Sequence, residues 1–429
     1  MEKILNPPKT DWQTLTRRPA ADKKQLGETV NKIFEAIEGE GDKGVMRFTK
    51  EFDGADLSSL RVSVSAIENA SDLITPKLKA AISIAKNNIE KFHAAQKDKK
   101  EIVETTTGVF CWRESRAIER VGIYIPGGTA PLFSTVLMLG IPAKLAGCKQ
   151  IILCSPPDSK GNIHPAILYT AALIGITDIF GVGGIQAVAA MTLGTNTIPR
   201  VDKIFGPGNQ YVTAAKQFAQ TLGVAIDMPA GPSEVLIIAD KDCVPEFVAA
   251  DLLSQAEHGA DSQVILLSDD LTTIEETIAA INNQIIILPR KDIAQKALEK
   301  SKAVLLNDMK ECIEFSNIYA PEHLIIATKN AKELSTEVTN AGSVFLGNYS
   351  CESAGDYASG TNHTLPTNGY ARNYSGVSLD SFVKKITFQE ITKEGLFNLG
   401  PAVELMAEAE ALFAHKNAVT IRLKNLENV

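Results

Sequence analysis

The stretch RVGIYIPGG, residues 120–128, decides the fold. Its apolar run is too short for a helix and stops at proline and two glycines, so it reads as a strand ending in a tight turn. Four further runs have the same form. QIILCSPP begins at 150, DIFGVGG at 178, VDKIFGPG at 201 and VAIDMPAG at 224. Between them lie segments with helical spacing, such as APLFSTVLMLGIPAKLAG and NQYVTAAKQFAQTLG. Strand, glycine-rich turn and helix in repetition mean right-handed βαβ units and a mostly parallel sheet. Runs that are apolar throughout, rather than alternating, fit strands buried on both faces.

A second α/β rhythm starts at 233. SEVLIIAD, SQVILLSDD, KAVLLND and HLIIAT read as its strands, separated by helical patterns such as VPEFVAADLLSQAEH. Residues 23–105 read as mainly helical, with one strand expected within 45–62, and the last fifty or so residues return to helix. The expected fold is therefore α/β, with two Rossmann-like parallel-sheet domains facing a cleft, a helical N-terminal segment and a helical C-terminal tail. In such sheets the loops after the strands make the site.

Composition narrows the function. The 429 residues are 45% hydrophobic and 22% charged, values of a globular protein with more than one core. A net charge of −8, with no basic run longer than KDKK at 97–100, argues against nucleic acid. Six scattered cysteines without a CxxC pair read as free thiols. No apolar leader is read at the N-terminus, and PAILYTAALIGI (165–176) falls short of the roughly 20 residues of a membrane helix. A cytoplasmic protein is expected.

Six histidines carry most of the chemistry on offer. His93 and His164 read as structural. His258 closes SQAEHG, three residues after Gln255 on one helix face, which suits either a metal or an ordinary solvated helix end. His323 follows Glu322 in YAPEHL, where a carboxylate that activates water and an imidazole that shuttles a proton would be neighbours. The bland alternative is a helix-to-strand junction. His363 lies downstream of Asp356, and His415 lies five residues after Glu410. Gln255, His258, Asp356 and His415 would together offer two imidazoles, a carboxylate and an amide oxygen, a set zinc accepts. Glutamine is an uncommon ligand that chemistry alone would not select. The nicotinamide fingerprint is incomplete, since GVGGIQ has Gln186 and GPGNQY has Tyr211 at the third glycine position. The glycine-rich turns can still present backbone N–H groups to phosphate. Cys148 and Cys154 are candidates for covalent chemistry, ranked below an activated water because nothing nearby lowers a thiol pKa.

The words GIYIPGGTAPLFSTVLM, KIFGPGNQYVTAAK, IDMPAGPSEVLIIAD, DLLSQAEHGADSQVILL, YAPEHLI, GSVFLGN, ESAGDYASGTNHTLPT and LFAHKNAVTIR resemble the L-histidinol dehydrogenase family. They stand in the family's order across residues 122–422. The resemblance implies oxidation of L-histidinol to L-histidine through L-histidinaldehyde, the last step of histidine biosynthesis, with two NAD used in succession. It implies one zinc ion per subunit held by Gln255, His258, Asp356 and His415. Ser233, His323, His363 and Glu410 would join these four in contacting substrate. Glu322 and His323 would be the acid–base pair, and Tyr124, Gln186 and Asn209 the NAD contacts. Cys351 stands where the family has proline. The family is a homodimer whose C-terminal segment reaches the partner's site, which would lend Glu410 and His415 to the other subunit.

The expected division is residues 1–22 as an N-terminal segment and 23–123 with 233–377 as a discontinuous α/β domain carrying most of the metal site. Residues 124–232 would form the NAD-binding domain and 378–429 the tail. A zinc hydrolase using Glu322 to activate water, and a binder without turnover, are the rival readings.

Overall fold

All nine runs read as strands form one, and the two rhythms close into two separate sheets. The structure, a computed structural model, describes residues 1–18, 23–127, 131–229 and 231–427. Part of the turn after the first run (128–130) and Ala230 in VAIDMPAG lie outside the described residues.

The chain opens with strand β1 (Glu2–Leu5), and after a helical stretch come β2 (Ile102–Thr106), β3 (Val109–Ala117) and β4 (Arg120–Tyr124). Short strands between helices follow: β5 (Gln150–Ser155), β6 (Asp178–Gly181), β7 (Lys203–Phe205) and β8 (Ala225–Ile226). The second rhythm gives β9 (Glu234–Ala239), β10 (Gln263–Ser268), β11 (Lys302–Leu305), β12 (His323–Ala327) and β13 (Ser343–Leu346). β14 (Val383–Ile391) comes last.

The five-stranded sheet has the order β6-β5-β4-β7-β8 and the six-stranded sheet β1-β11-β10-β9-β12-β13, every pairing in both being parallel. Counting strands within each rhythm, both run 3-2-1-4-5, the doubly wound order without its sixth strand. In the larger sheet β1 is added at the edge. β9 and β10 are buried along their whole length, as continuous apolar runs require when helices cover both faces.

The structure departs from the sequence reading in four places. Residues 45–62 hold no strand. Asp42–Asp53 is a helix that buries Val45, Phe48 and Thr49 at helical spacing and ends on Gly54 with φ 70°, and Arg61 makes only an isolated bridge to Phe180. The N-terminal segment is not merely appended, because β1 pairs with β11. Residues 23–123 pack mainly on the five-stranded unit and, among the described residues, share core contacts with 233–377 only near its end, at Ala358 and Val377. Val30, Ile33, Phe34, Val45 and Phe48 pack with Val188, Met191 and Val212 of the five-stranded unit. A boundary at 123/124 would moreover cut β4, the middle strand of that sheet. Finally, the tail is not wholly helical, since β14 pairs antiparallel with β3, which pairs with β2. Only then come the helices Lys393–Ala409 and Phe413–Glu427, which pack on each other as an arm.

The two units meet where the helix Phe133–Ala146 approaches the segment after Asp356. Thr135 Oγ1 lies 3.0 Å from His363 Nε2, and Asn362 Nδ2 donates to the Met138 carbonyl at 2.6 Å. Among the described residues no helix is long and apolar enough to cross a membrane.

Candidate active site

The loops after β4, β5, β6 and β7, with the segment 57–73, build one cavity of about 1540 Å³. Tyr124, Gln186 and Asn209 all line it. Tyr124 ends β4, and its hydroxyl accepts the Gly184 N–H at 3.1 Å. Burial pushes that phenol up to about 12, so it stays protonated. Gln186 lies in the first turn of the helix Gly184–Leu193, and its Nε2 donates to Asp53 at 3.1 Å. Asn209 caps the helix Gln210–Thr221 by accepting the Tyr211 and Val212 N–H groups at 3.0 and 3.1 Å. Gly206 sits between them with φ 132°, and a Cβ there would meet the Tyr124 carbonyl oxygen at 2.1 Å. Only glycine permits that approach. Asp53 escaped the sequence reading because it belongs to a helix 133 residues before its partner.

The second cluster sits at the opposite end of its sheet from the one expected. Ser233 precedes β9, Glu322 precedes β12, and His323 is the first residue of β12. Gln255 ends the helix Pro245–Ala256, and His258 lies between it and β10. These are amino ends of strands, whereas the loops after strands were expected to make the site. His323 Nε2 lies 3.4 Å from Asp356 Oδ1, and its Nδ1 is 3.8 Å from both Glu322 and Glu352. His323, Glu352 and Asp356 bring one ligand atom each within 4.8 Å of one another.

Electrostatics in this cluster are dominated by buried carboxylates. Burial pushes Glu322 up to about 8, against the attraction of His323. Burial disfavours the charged His323 ring, but Glu352, Glu322 and Asp356 outweigh it and raise the imidazole to about 10. Glu352 is held well above the carboxylate range by burial, with Asp356, Glu322 and Asp251 adding to it. Burial also acts to raise Asp356, yet His323, His363 and His258 hold it below its usual value. His258 is exposed at the rim, but enough protein surrounds its ring to lower its pKa, against the pull of Asp356. A pocket with this surplus of acid attracts a cation.

The residues also fit a metal. Gln255 is fully buried, and among the described residues neither its amide oxygen nor its amide nitrogen has a hydrogen-bond partner. A buried amide so exposed to desolvation cost calls for a ligand. Its helix packs against the helix Glu352–Tyr357, which carries Asp356. An amide oxygen, an imidazole and a carboxylate suit zinc. His415 and Glu410 do not join the cluster; both are exposed where the two-helix arm turns. His363 has both nitrogens engaged, Nδ1 by the Asp356 carbonyl at 2.8 Å and Nε2 by Thr135. His93 and His164 are structural as read, His93 buried against Ile89 and His164 capping the helix Pro165–Leu173.

Sequence reasoning missed Glu352. The signal was present, since Glu352 and Asp356 are four apart in YSCESAGDY and so share a helix face. It also missed Asp251, which accepts the Glu352 N–H and is itself pushed up to about 6 by burial.

Twin parallel sheets, one carrying a nucleotide-sized cavity and the other an acid–imidazole cluster, define an α/β enzyme. The histidinol dehydrogenase family matches residues 16–423, and the chain belongs to that family. It is 57% identical over 427 residues to the histidinol dehydrogenase of Bacteroides thetaiotaomicron, covering 100% of both chains. It is 51% identical over 417 residues to that of Escherichia coli (strain CFT073), covering 97% of this chain and 95% of the relative. A crystal structure of histidinol dehydrogenase from Elizabethkingia anophelis superposes with a TM-score of 0.98 at 63% identity, covering 100% of this chain and 99% of that one.

Proposed function

We propose that the chain oxidises L-histidinol to L-histidine through the aldehyde, the final step of histidine biosynthesis, and passes two hydrides in turn to NAD in a zinc-containing site. It is an oxidoreductase of histidine biosynthesis by family. A zinc hydrolase finds no support among these relatives. The observation that carries the reading is the buried Glu322–His323 pair set against Asp356.

Gln255, His258 and Asp356, with His415, would hold zinc. When bound, it would supply a template for the substrate's amino and imidazole nitrogens and a positive charge offsetting the carboxylates that keep His323 protonated. Ser233, His363 and Glu410 would complete the substrate contacts, and Tyr124, Gln186 and Asn209 those to NAD. His323 takes the hydroxyl proton as hydride leaves the alcohol carbon. Glu322, whose ionised form the positive charge of a bound metal would favour, then removes a proton from water as its oxygen adds to the aldehyde carbon. The gem-diol loses the second hydride. Alcohol, water and two NAD⁺ thus become carboxylate, two NADH and three protons. The buried pocket limits loss of the aldehyde between the steps. The reading implies a cytoplasmic enzyme.

The arm formed by Lys393–Ala409 and Phe413–Glu427 exposes Phe397, Leu405, Met406, Leu412 and Phe413. So much apolar surface supports a homodimer in which the arm covers the partner and delivers Glu410 and His415. Dimers mixed from Glu322→Gln and His415→Ala subunits should then regain one active site, whereas unshared sites would leave them inactive.

The primary test is NADH formed per L-histidinol consumed, before chelation, after it, and after zinc is restored. Two NADH, lost and recovered with the metal, is the expected result. One NADH with free aldehyde would remove the role of Glu322, and none would remove the reading.

A further inference from the structure

We propose that Arg18 and Glu234 are positioning residues for the acid–base pair: together they hold the backbone on which Glu322 and His323 both hang. Neither faces the reacting carbon in this account, which rests on the roles given above to Glu322 and His323.

Glu234 is the first residue of β9, and the next residue, Val235, pairs with His323, the first residue of β12. The Glu234 backbone reaches both members of the acid–base pair. Its N–H donates to Glu322 Oε2 at 2.8 Å, and its carbonyl accepts from His323 Nδ1 at 3.2 Å. The second bond has a chemical consequence. With Nδ1–H committed to a carbonyl, Nε2 becomes the basic nitrogen of the neutral ring. Nε2 is the atom turned toward Asp356, and it has no hydrogen-bond partner among the described residues.

A buried glutamate side chain needs compensation. Arg18 provides it from 216 residues away, through a two-pronged contact in which Nη2 donates to Oε2 at 2.7 Å and Nε to Oε1. The side chains are 11% and 3% exposed, so solvent screens the pair little. The Asn368 N–H completes the carboxylate at 2.9 Å. Arg18 also grips the other strand's approach. Nη2 donates to the Tyr319 carbonyl at 2.8 Å, and the guanidinium lies 3.9 Å over the Tyr319 ring. Ala320, next in sequence, is held at φ 54°, a conformation costly for a residue with a Cβ. One guanidinium thus ties the lead-in to Glu322 and the carboxylate of Glu234, and its planar fork suits this as an ammonium would not.

Arg18 is reachable from outside. It lines an open cleft of about 710 Å³ with Gln13, Arg17, Asn317 and Arg372. Chemical rescue therefore gives a readout that general destabilisation does not move. The experiment uses the full-length zinc-loaded protein, and Arg18→Ala is assayed with L-histidinol and NAD at fixed ionic strength, with added guanidinium or sodium chloride. Misplacing the pair by about 1 Å predicts a fall in kcat on the order of a hundredfold, with both KM values within about twofold and zinc content unchanged. Guanidinium, and not sodium, should restore kcat several-fold. Arg18→Lys keeps the buried charge without the fork, and should fold if Arg18→Ala does not, with kcat down about tenfold. A kcat within twofold of wild type in either variant overturns the inference. So does a loss confined to KM or matched by zinc loss, or equal rescue by sodium chloride. Failure of the wild type to yield two NADH would instead sink the underlying reading.

Discussion

Replacing Lys216 by methionine should cost about 3 kcal/mol of stability and weaken cofactor use. Lys216 and Asp227 form an ion pair with side chains 3% and 1% exposed. Between them they clamp Gly206, three residues before Asn209 of the cavity wall. Lys216 donates to the Gly206 carbonyl at 2.8 Å, and Asp227 accepts the Gly206 N–H at 2.8 Å and the Met228 N–H at 2.7 Å. Methionine fills the lysine's volume but leaves the carboxylate buried without its counter-charge. Breaking such a pair typically costs about 3–5 kcal/mol. The lower end applies because Lys203, nearby and bonded to the Ser381 carbonyl, remains within electrostatic reach of Asp227. About 3 kcal/mol is roughly a hundredfold in the folded-to-unfolded ratio. The assay is urea unfolding of wild type, Lys216→Met, Asp227→Asn and the double variant, with KM for NAD measured in parallel. The double variant should be more stable than Lys216→Met, because the stranded charge is gone. KM for NAD should rise in both lysine variants as Gly206 loosens. If Lys216→Met lies within about 1 kcal/mol of wild type, or the double variant is no better than the single, the stranded-charge reasoning is refuted.

Two further outcomes follow from buried titratable groups. Burial raises Asp53 from 3.8 to about 6, only partly opposed by its bond from Gln186. The fold therefore favours its neutral form, a contribution present below pH 4 and lost as pH rises through 6. The urea midpoint of Asp53→Asn relative to wild type should increase between pH 4 and pH 7; a flat difference would contradict the shift. Burial likewise pushes the Cys154 thiol up to about 12 and that of Cys148 to about 11, so neither is a thiolate at neutral pH. Cys154→Ala and Cys148→Ala should still give two NADH per histidinol, and accumulation of aldehyde in either would revive the covalent route.

The parallel sheets were legible because burial on both faces leaves an unbroken apolar run, as in Glu234–Ala239, bounded by turn residues. β14 was not, because its nine residues mix lysines and glutamate with apolar positions and pair with β3 some 270 residues earlier. Local pattern carries no trace of such a partner. The same limit hid Asp53 and Arg18, whose partners are distant in sequence. The cavity was legible from glycines that follow strands. The acid–imidazole pair was legible in PEHL by residue type and by its place just before a strand, but the rule that loops after strands make the site pointed to the other end of the sheet.

That reversal of ends has an electrostatic consequence. In a parallel α/β unit the helices run against the strands, so each end of the sheet gathers helix termini of one kind. The Gly184–Leu193 and Gln210–Thr221 helices begin at the cavity, where their N-termini present partial positive charge. The Pro245–Ala256 and Met309–Tyr319 helices finish at the acid–imidazole cluster, where C-termini present partial negative charge. One strand order, used twice and from opposite ends, yields a pole of partial positive charge at the cavity and a pole of partial negative charge at the cluster. The molecule is polarised before any ligand arrives.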